Sequence, residues 1–333
     1  MPAIHDALFK FWLRIELDRM RGAFRRPVRG GEDDIVVPNP RCVTRENLSE
    51  LLSGHGNWVV GVKCDGTRAI IVRCTFMHWP ILVAIDRAFS VRLHWVGDRT
   101  TGANGLMTVI DTERTSDTHF VAHDVLLVST TVHAHKMSQS VRMDLIASAV
   151  DECLARTGGV VTIDVKEFVA LSHEGIQAML ERGGDGLILA DKTLPVTFGS
   201  DPGLLKWKAP HLSTVDLVVD RKRCGAHYSK LARLRTSDGK ATSIPDVRVE
   251  DVPGALPAIW EFGFVNGAWR PLHRREDKHK ANSAFVVNQT MRNVVDVIGA
   301  FDLVSPIVRS PNEDSDGPSN RAVEEMATPA CIS

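Results

Sequence analysis

Lys63-Cys64-Asp65-Gly66-Thr67-Arg68 lies between two short apolar, β-branched runs, residues 58–62 and 69–72, that read as buried strands. Lys, Asp and Arg are seldom buried without partners, so charges set between two strands need a reason. Asp65-Gly66 suits the centre of a hairpin turn, with the flanking charges in water. The same residues suit a lysine nucleophile at a strand end, with Arg68 placed to bind an anion. Such a lysine works against its own basicity. With an ordinary pKa near 10.4, about one molecule in a thousand is neutral near pH 7.4, a handicap of about 4 kcal/mol. Neighbouring cations and desolvation reduce it, so other cations should stand close by. Lys206 and Lys208 alternate in Leu204-Leu205-Lys206-Trp207-Lys208, which would put two ammoniums on one face of a strand.

An ordered series of further segments surrounds these two. Residues 81–92 (ILVAIDRAFSVR) read as strand, Asp-Arg turn, strand. Val109-Ile110-Asp111-Thr112-Glu113 and Phe120-Val121-Ala122-His123-Asp124-Val125-Leu126 follow. A helix-like stretch ended by Gly183-Gly184 leads into Asp185-Gly186-Leu187-Ile188-Leu189, and Phe198-Gly199-Ser200-Asp201-Pro202 leads into the paired lysines. Arg275-Glu276-Asp277-Lys278 comes last, with Asn282 four positions on.

Lys63 to Arg68 matches the KxDGxR signature of the covalent nucleotidyltransferases, the superfamily of mRNA capping guanylyltransferases and polynucleotide ligases. The later segments resemble that superfamily's remaining motifs in order, from about residue 36 to about residue 300. Thr112 stands where glycine is usual in the DGE element. His123 stands where an aromatic stacks on the purine, and Phe120 could serve instead, although the two have opposite parity on a strand. Arg275 to Asn282 resembles the RxDKxxPN motif of capping enzymes, with Ala281 in place of proline. Pro40 to Leu48 resembles the element that contacts guanine in those enzymes.

The resemblance implies two half-reactions. Lys63 attacks the α-phosphate of GTP and releases pyrophosphate, leaving a lysyl-GMP phosphoramidate. The 5′-diphosphate end of nascent mRNA then takes up the GMP to form the GpppN cap. It implies Lys206 and Lys208 on the α-phosphate, Arg68 on ribose or phosphate, and Arg275 and Lys278 on the β- and γ-phosphates, oriented by Asp277. It further implies a nucleotide pocket that includes Pro40, Cys64, Asp65, Arg87, Glu113, His123 and Asp185. Mg²⁺ or Mn²⁺ is the implied cofactor, with Glu113 and Asp185 as ligands; magnesium keeps several waters, so one or two carboxylates suffice. Separate RNA triphosphatase and cap methyltransferase activities are implied as partners, and contact with the transcription machinery is left open. The implied location is the nucleus for a cellular enzyme, and a viral factory, cytoplasm or virion for a viral one. An ATP-dependent polynucleotide ligase shares the nucleophile and paired lysines; the RxDK…N element and the LLKWK form argue against it.

The expected fold class is α+β: a DNA-ligase-like nucleotidyltransferase domain of antiparallel sheets and helices, followed by an OB-fold. Expected boundaries are 1–31 for an N-terminal amphipathic helix and linker, 32–211 for the catalytic domain and 212–284 for the OB-fold. Residues 285–305 would be a helix packing back on the body, and 306–333 a disordered acidic tail. In the first helix Leu8, Phe11, Trp12 and Ile15 form the apolar stripe, and Arg29-Gly30-Gly31 reads as a joint. In the last, Val287, Met291, Val294, Val295 and Ile298 are the apolar positions.

Charge alone says little. The 333 residues carry 40 basic and 41 acidic side chains, a formal net charge of −1. The average hides unlike parts, because residues 311–333 hold five acids and one base, whereas residues 206–240 hold nine bases and three acids. Six scattered cysteines without a CxxC pair give no disulfide framework or zinc site, and His133 and His135 read as loop residues. No apolar run approaches the ~18 residues of a membrane span.

Overall fold

A computed structural model describes residues 6–21, 37–155, 157–224, 227–276 and 278–305. The fold is α+β, built on three sheets. Asp277, the Arg29-Gly30-Gly31 joint and the acidic tail lie outside the described residues.

The first sheet takes β1 (Pro38–Cys42), β2 (Trp58–Val62), β9 (Val169–Ala170), β10 (Leu187–Asp191) and β11 (Gly199–Trp207), in the order β1-β11-β10-β2-β9. Its central strand β10 runs antiparallel to both neighbours, with Leu187 opposite Val62 on one side and Trp207 on the other. That register fixes the functional geometry. One residue past Val62 is Lys63, one past Trp207 is Lys208, and two before Leu187 is Asp185, so all three meet at one end of the sheet. The opposite face is apolar: Val60, Leu187, Leu189, Leu205 and Trp207 pack with Leu48 and Leu51 of α2 (Arg45–Ser53) and Ile176 and Met179 of α4 (His173–Glu181). Thr44 caps α2 reciprocally with Asn47, and Ser172 caps α4 through the Gly175 amide.

The second sheet has six strands: β3 (Thr67–Phe76), β4 (Trp79–Asp86), β5 (Val91–Val96), β6 (Gly105–Arg114), β7 (His119–Leu127) and β8 (Thr162–Val165), in the order β5-β4-β3-β6-β7-β8. Alternation sends Ile71, Ala84, Ile110 and Phe120 against Ile146 and Val150 of α3 (Gln139–Leu154). The other face sends Ile70, Val72, Phe76, Val83 and Val109 against α1 (Asp6–Arg21). The first helix therefore docks on the body, but with a different face from the one expected. Phe9, Leu13, Leu17 and Met20 are buried with Trp12 at their edge, while Leu8 and Phe11 are exposed. Two apolar stripes coexist on this helix, and the buried one meets Phe76, whose ring lies 5.2 Å from Phe9 and 4.9 Å from Trp12.

The third sheet is antiparallel throughout: β12 (Thr214–Cys224), β13 (His227–Arg235), β14 (Val247–Arg248), β15 (Ala258–Val265) and β16 (Ala268–Arg274), ordered β14-β13-β12-β15-β16. Val215, Leu217, Val219, Leu234 and Phe262 form its core, closed by Val287 of α5 (Ala284–Asp296). Val287 and Val294 are buried on α5 as expected, and Ile298 just beyond it is buried in the core of the first sheet. Val295 departs from expectation and is 75% exposed, because it lies on the solvent side of the Val287–Val294 stripe. Among the described residues no helix is long and apolar enough to cross a membrane.

Candidate active site

Lys63 is held by the backbone before its side chain does anything. Its amide donates to the Gly186 carbonyl at 2.8 Å, and its carbonyl accepts from the Asp185 amide at 2.9 Å, so the β2–β10 ladder continues past the strand ends. Lys63 Nζ donates to Asp185 Oδ2 at 2.5 Å, and Lys208 Nζ lies 2.6 Å from Asp185 Oδ1. One carboxylate thus bridges two ammoniums. Burial works against the Asp185 charge, yet the bonds from Lys208 and Lys63 outweigh it and hold its pKa below the usual carboxylate value. Two glycines permit this approach. Gly184 (φ +111°) would bring a Cβ to 2.6 Å from Val62 and 2.9 Å from the Lys63 carbonyl, and a Cβ on Gly186 (φ +124°) would collide with the Trp207 carbonyl. Lys206 is half-buried, with no side-chain partner among the described residues.

A second wall comes from β3, β6 and β7. The face that packs Ile70, Val72 and Val109 on α1 carries Arg68, Asp111 and Glu113 at its far end. Arg68 grips Asp111 with two donors, Nε to Oδ1 at 2.8 Å and Nη2 to Oδ2, and Asp111 is buried. Thr112, the departure from the family pattern, points to the other face and donates to the Ala69 carbonyl at 2.9 Å, leaving Glu113 in place. Burial raises the Glu113 pKa, and Arg68, Lys63 and Lys166 pull against it.

The pairing of β6 with β7 slips at His123: Asp111 faces Asp124 and Thr112 faces Ala122, so His123 is the extra residue of a bulge. Its Nε2 stands 3.9 Å from Glu113 Oε2, and its buried Nδ1 has no hydrogen-bond partner. Burial, then Lys166 and Arg68, hold its pKa well below that of ordinary imidazole, so the ring is neutral. Phe120 is fully buried in the α3-side core, edge-on to His94 at 5.6 Å. Of the two, His123 faces Glu113.

Sequence reasoning missed Lys166. It is 8% exposed, beside Cys64, Glu113, Arg68 and Lys63, with burial lowering its pKa. Its ammonium makes no hydrogen bond among the described residues and lies 5.8 Å from the Phe168 ring. Lys166 belongs to none of the expected motifs; the parallel pairing of β8 with β7, continued by the Lys166–Ala122 backbone bond at 2.8 Å, brings it to the site. Cys64 is half-buried and Asp65 exposed.

The remaining expected residues lie elsewhere. Arg275 Nη1 donates to Asp216 Oδ1 at 3.0 Å and reaches Glu261 at 3.5 Å, and Lys278 Nζ lies 3.0 Å from Asp216 Oδ2. These cations sit on the third sheet. Asn282 is part of the same framework, bonding the Asp216 backbone twice. Arg87 is exposed and donates to Asn39 Oδ1 at 3.0 Å, and half-buried Pro40 pairs with Asp201. Among the described residues there is no group of three or more His, Cys, Asp or Glu side chains that could hold a metal. A magnesium ion that keeps most of its waters needs less, and Asp185, a partly exposed carboxylate beside Lys63, fits that requirement.

A bridged pair of lysines at a sheet end, walled by arginine, glutamate and a neutral imidazole, suits covalent transfer of a nucleotide. No protein-family model matches the chain. It is 54% identical to an mRNA-capping enzyme subunit alpha of Neurospora crassa over 165 aligned residues, which cover 38% of this chain and 40% of the relative. It is 24% identical to the subunit of that name in Schizosaccharomyces pombe over 167 residues, covering 39% and 38%. The matches thus span about two fifths of the length of these curated relatives. Among solved structures, the ATP-dependent DNA ligase of bacteriophage T7 complexed with ATP is similar at 12% identity and TM-score 0.40, over 70% of this chain and 96% of that one. The curated relatives bear out the resemblance to capping enzymes over the span they match.

Proposed function

We propose that this chain is an mRNA guanylyltransferase acting through Lys63. The observation that carries the reading is Asp185 bridging Lys63 and Lys208 at 2.5 and 2.6 Å. Lys63 attacks the α-phosphorus of GTP through Nζ, its proton leaving to solvent, with Asp185 orienting the side chain. The Nζ–P bond forms as the bond to the β-phosphate oxygen breaks, and pyrophosphate leaves. A terminal phosphate oxygen of 5′-diphosphate RNA then attacks the same phosphorus, and the N–P bond breaks to regenerate the lysine. Lys206 and Lys208 stabilise charge on the α-phosphate, and Arg275 and Lys278 orient the leaving pyrophosphate. Asp185 is the side chain that would hold magnesium, whose chemistry is to offset phosphate charge; Glu113 meets the ribose side.

Guanine is favoured by the neutral His123 ring and the buried Lys166 donor beside it, because guanine O6 is an acceptor where adenine presents an amine. The order β14-β13-β12-β15-β16 supports an OB-fold for the third sheet, a five-stranded barrel left partly open. Capping of nascent transcripts sets the work in the nucleus, with triphosphatase and methyltransferase activities supplied by other domains or proteins. Radiolabelled GTP or ATP with magnesium, followed by denaturing electrophoresis, tests the reading. GTP should label the protein and Lys63→Ala should not. Label from ATP alone points to a ligase and refutes the proposal.

A further inference from the structure

The third sheet holds an arrangement that the transfer chemistry does not by itself require. Asp216, at the start of β12, is 7% exposed at its side chain and spends one carboxylate oxygen on Arg275 and the other on Lys278, at 3.0 Å each. Glu261 faces it across the sheet, since Asp216 and Glu261 are register partners. It reaches Arg275 at 3.5 Å and His273 at 3.2 Å. The Asp216 backbone is fixed as firmly as its side chain. Asn282 Oδ1 accepts from the Asp216 amide at 2.7 Å, and the Asn282 amide donates to the Asp216 carbonyl at 2.8 Å. The Arg275 amide in turn donates to the Ile259 carbonyl at 2.9 Å, so both ends of the cation-bearing loop are pinned to β12 and β15.

A nearly buried carboxylate with two cations on it has the charge pattern of a phosphate group seated between the same cations. We propose that Asp216 is a positioning residue that stores Arg275 and Lys278 in their phosphate-binding arrangement and is exchanged for the polyphosphate of the incoming nucleotide. The storage has two opposite effects. Orientation is set in advance, which favours the reacting state. Ground-state binding is weakened, because phosphate must displace a carboxylate. A side chain of structural value alone would not separate these two effects.

The inference rests on the guanylyltransferase reading, which assigns Arg275 and Lys278 to the phosphates; the two measurements separate its failure from that of the reaction. The first is binding of inorganic tripolyphosphate to the full chain by calorimetry, which needs no activity. Asp216→Asn keeps the size of the side chain and the Asn282 bonds, and it should bind tripolyphosphate at least threefold more tightly than the wild type, while Arg275→Ala binds more weakly. The second is the single-turnover rate of lysyl-GMP formation, which should fall at least tenfold in Asp216→Asn with no rise in the GTP KM. In the double variant with Arg275→Ala the rate should fall no further than in Arg275→Ala alone. Unchanged or weaker tripolyphosphate binding by a folded Asp216→Asn overturns the proposal, as does a wild-type rate of adduct formation. A wild type that forms no adduct but shows the binding shift overturns the assigned reaction and leaves the storage role standing.

Discussion

Lys166 is a residue with 8% exposure whose ammonium makes no hydrogen bond among the described residues, an arrangement that a binding role explains. Replacing it with Met removes the charge but keeps the packing. We expect Lys166→Met to melt no lower than the wild type, and to lose tenfold or more of the preference for GTP over ATP, the ~1–3 kcal/mol of one base contact. Equal preference in adduct assays of both proteins would remove Lys166 from the base pocket. His123 gives a second expectation, with a defined sign. Burial keeps the folded imidazole neutral at pH values where the unfolded one takes up a proton. The unfolded state then binds more protons, and stability rises with pH up to about 6.5 and is flat in this respect above it. His123→Phe should shrink the melting-temperature difference between about pH 5.5 and about pH 7.5 while retaining adduct formation. An undiminished difference would mean that the ring titrates in the folded state. Lys63, Arg68, Asp185 and Lys208 were legible in the sequence because each sits in a local pattern. Lys166 was not, since it enters the site through pairing between distant strands, and Asp216 carries no signal until Arg275 is seen on it.

The elements that meet at Lys63 depend on backbone that only glycine supplies. Gly186 combines φ +124° with a Cβ position against the Trp207 carbonyl, whereas Gly183 has φ +76° and open space around it. The two substitutions therefore separate conformational strain from collision. Gly183→Ala should cost about 1–2 kcal/mol, the left-handed penalty alone, and retain activity. Gly186→Ala should cost more and abolish the adduct, because β10 and β11 must separate and carry Asp185 away from Lys208. Denaturant midpoints and adduct yields measure both; equal costs would show that the carbonyl yields. Helix existence was legible from periodicity for α1 and α5, and so was the Val287–Val294 face of α5, but the buried face of α1 was not. Leu8–Phe11–Ile15 and Phe9–Leu13–Leu17 are both helical stripes, and only the position of Phe76 on β3 selects between them.

Across the whole molecule, the lysine cluster stands on the first sheet and the Arg275–Lys278 pair on the third, with α5 tying the two together. Val287 is buried in the core of the third sheet, while Ile298 and Leu303 are buried in that of the first. Trp207, between Lys206 and Lys208 in sequence, donates from its indole to the Ile298 carbonyl at 2.8 Å, and Arg45 donates to the Asp296 carbonyl at 3.1 Å. Under the proposed reaction the third sheet must reach a triphosphate held at Lys63, and this tie places the C-terminal end of α5 between the two. Trp207→Phe should cost about 1–3 kcal/mol, since it leaves the Ile298 carbonyl unpaired and the smaller ring fills less of the core. Closure itself has a solution signature. GTP with magnesium should lower the radius of gyration measured by X-ray scattering, and release of pyrophosphate from the adduct should restore it. Arg275→Ala should bind GTP without compacting, because in the proposed reaction Arg275 is one of the cations that meet the β- and γ-phosphates. A wild type whose scattering is the same with and without GTP, at concentrations that saturate adduct formation, would mean that the two halves of the phosphate site already act across the distance between the sheets.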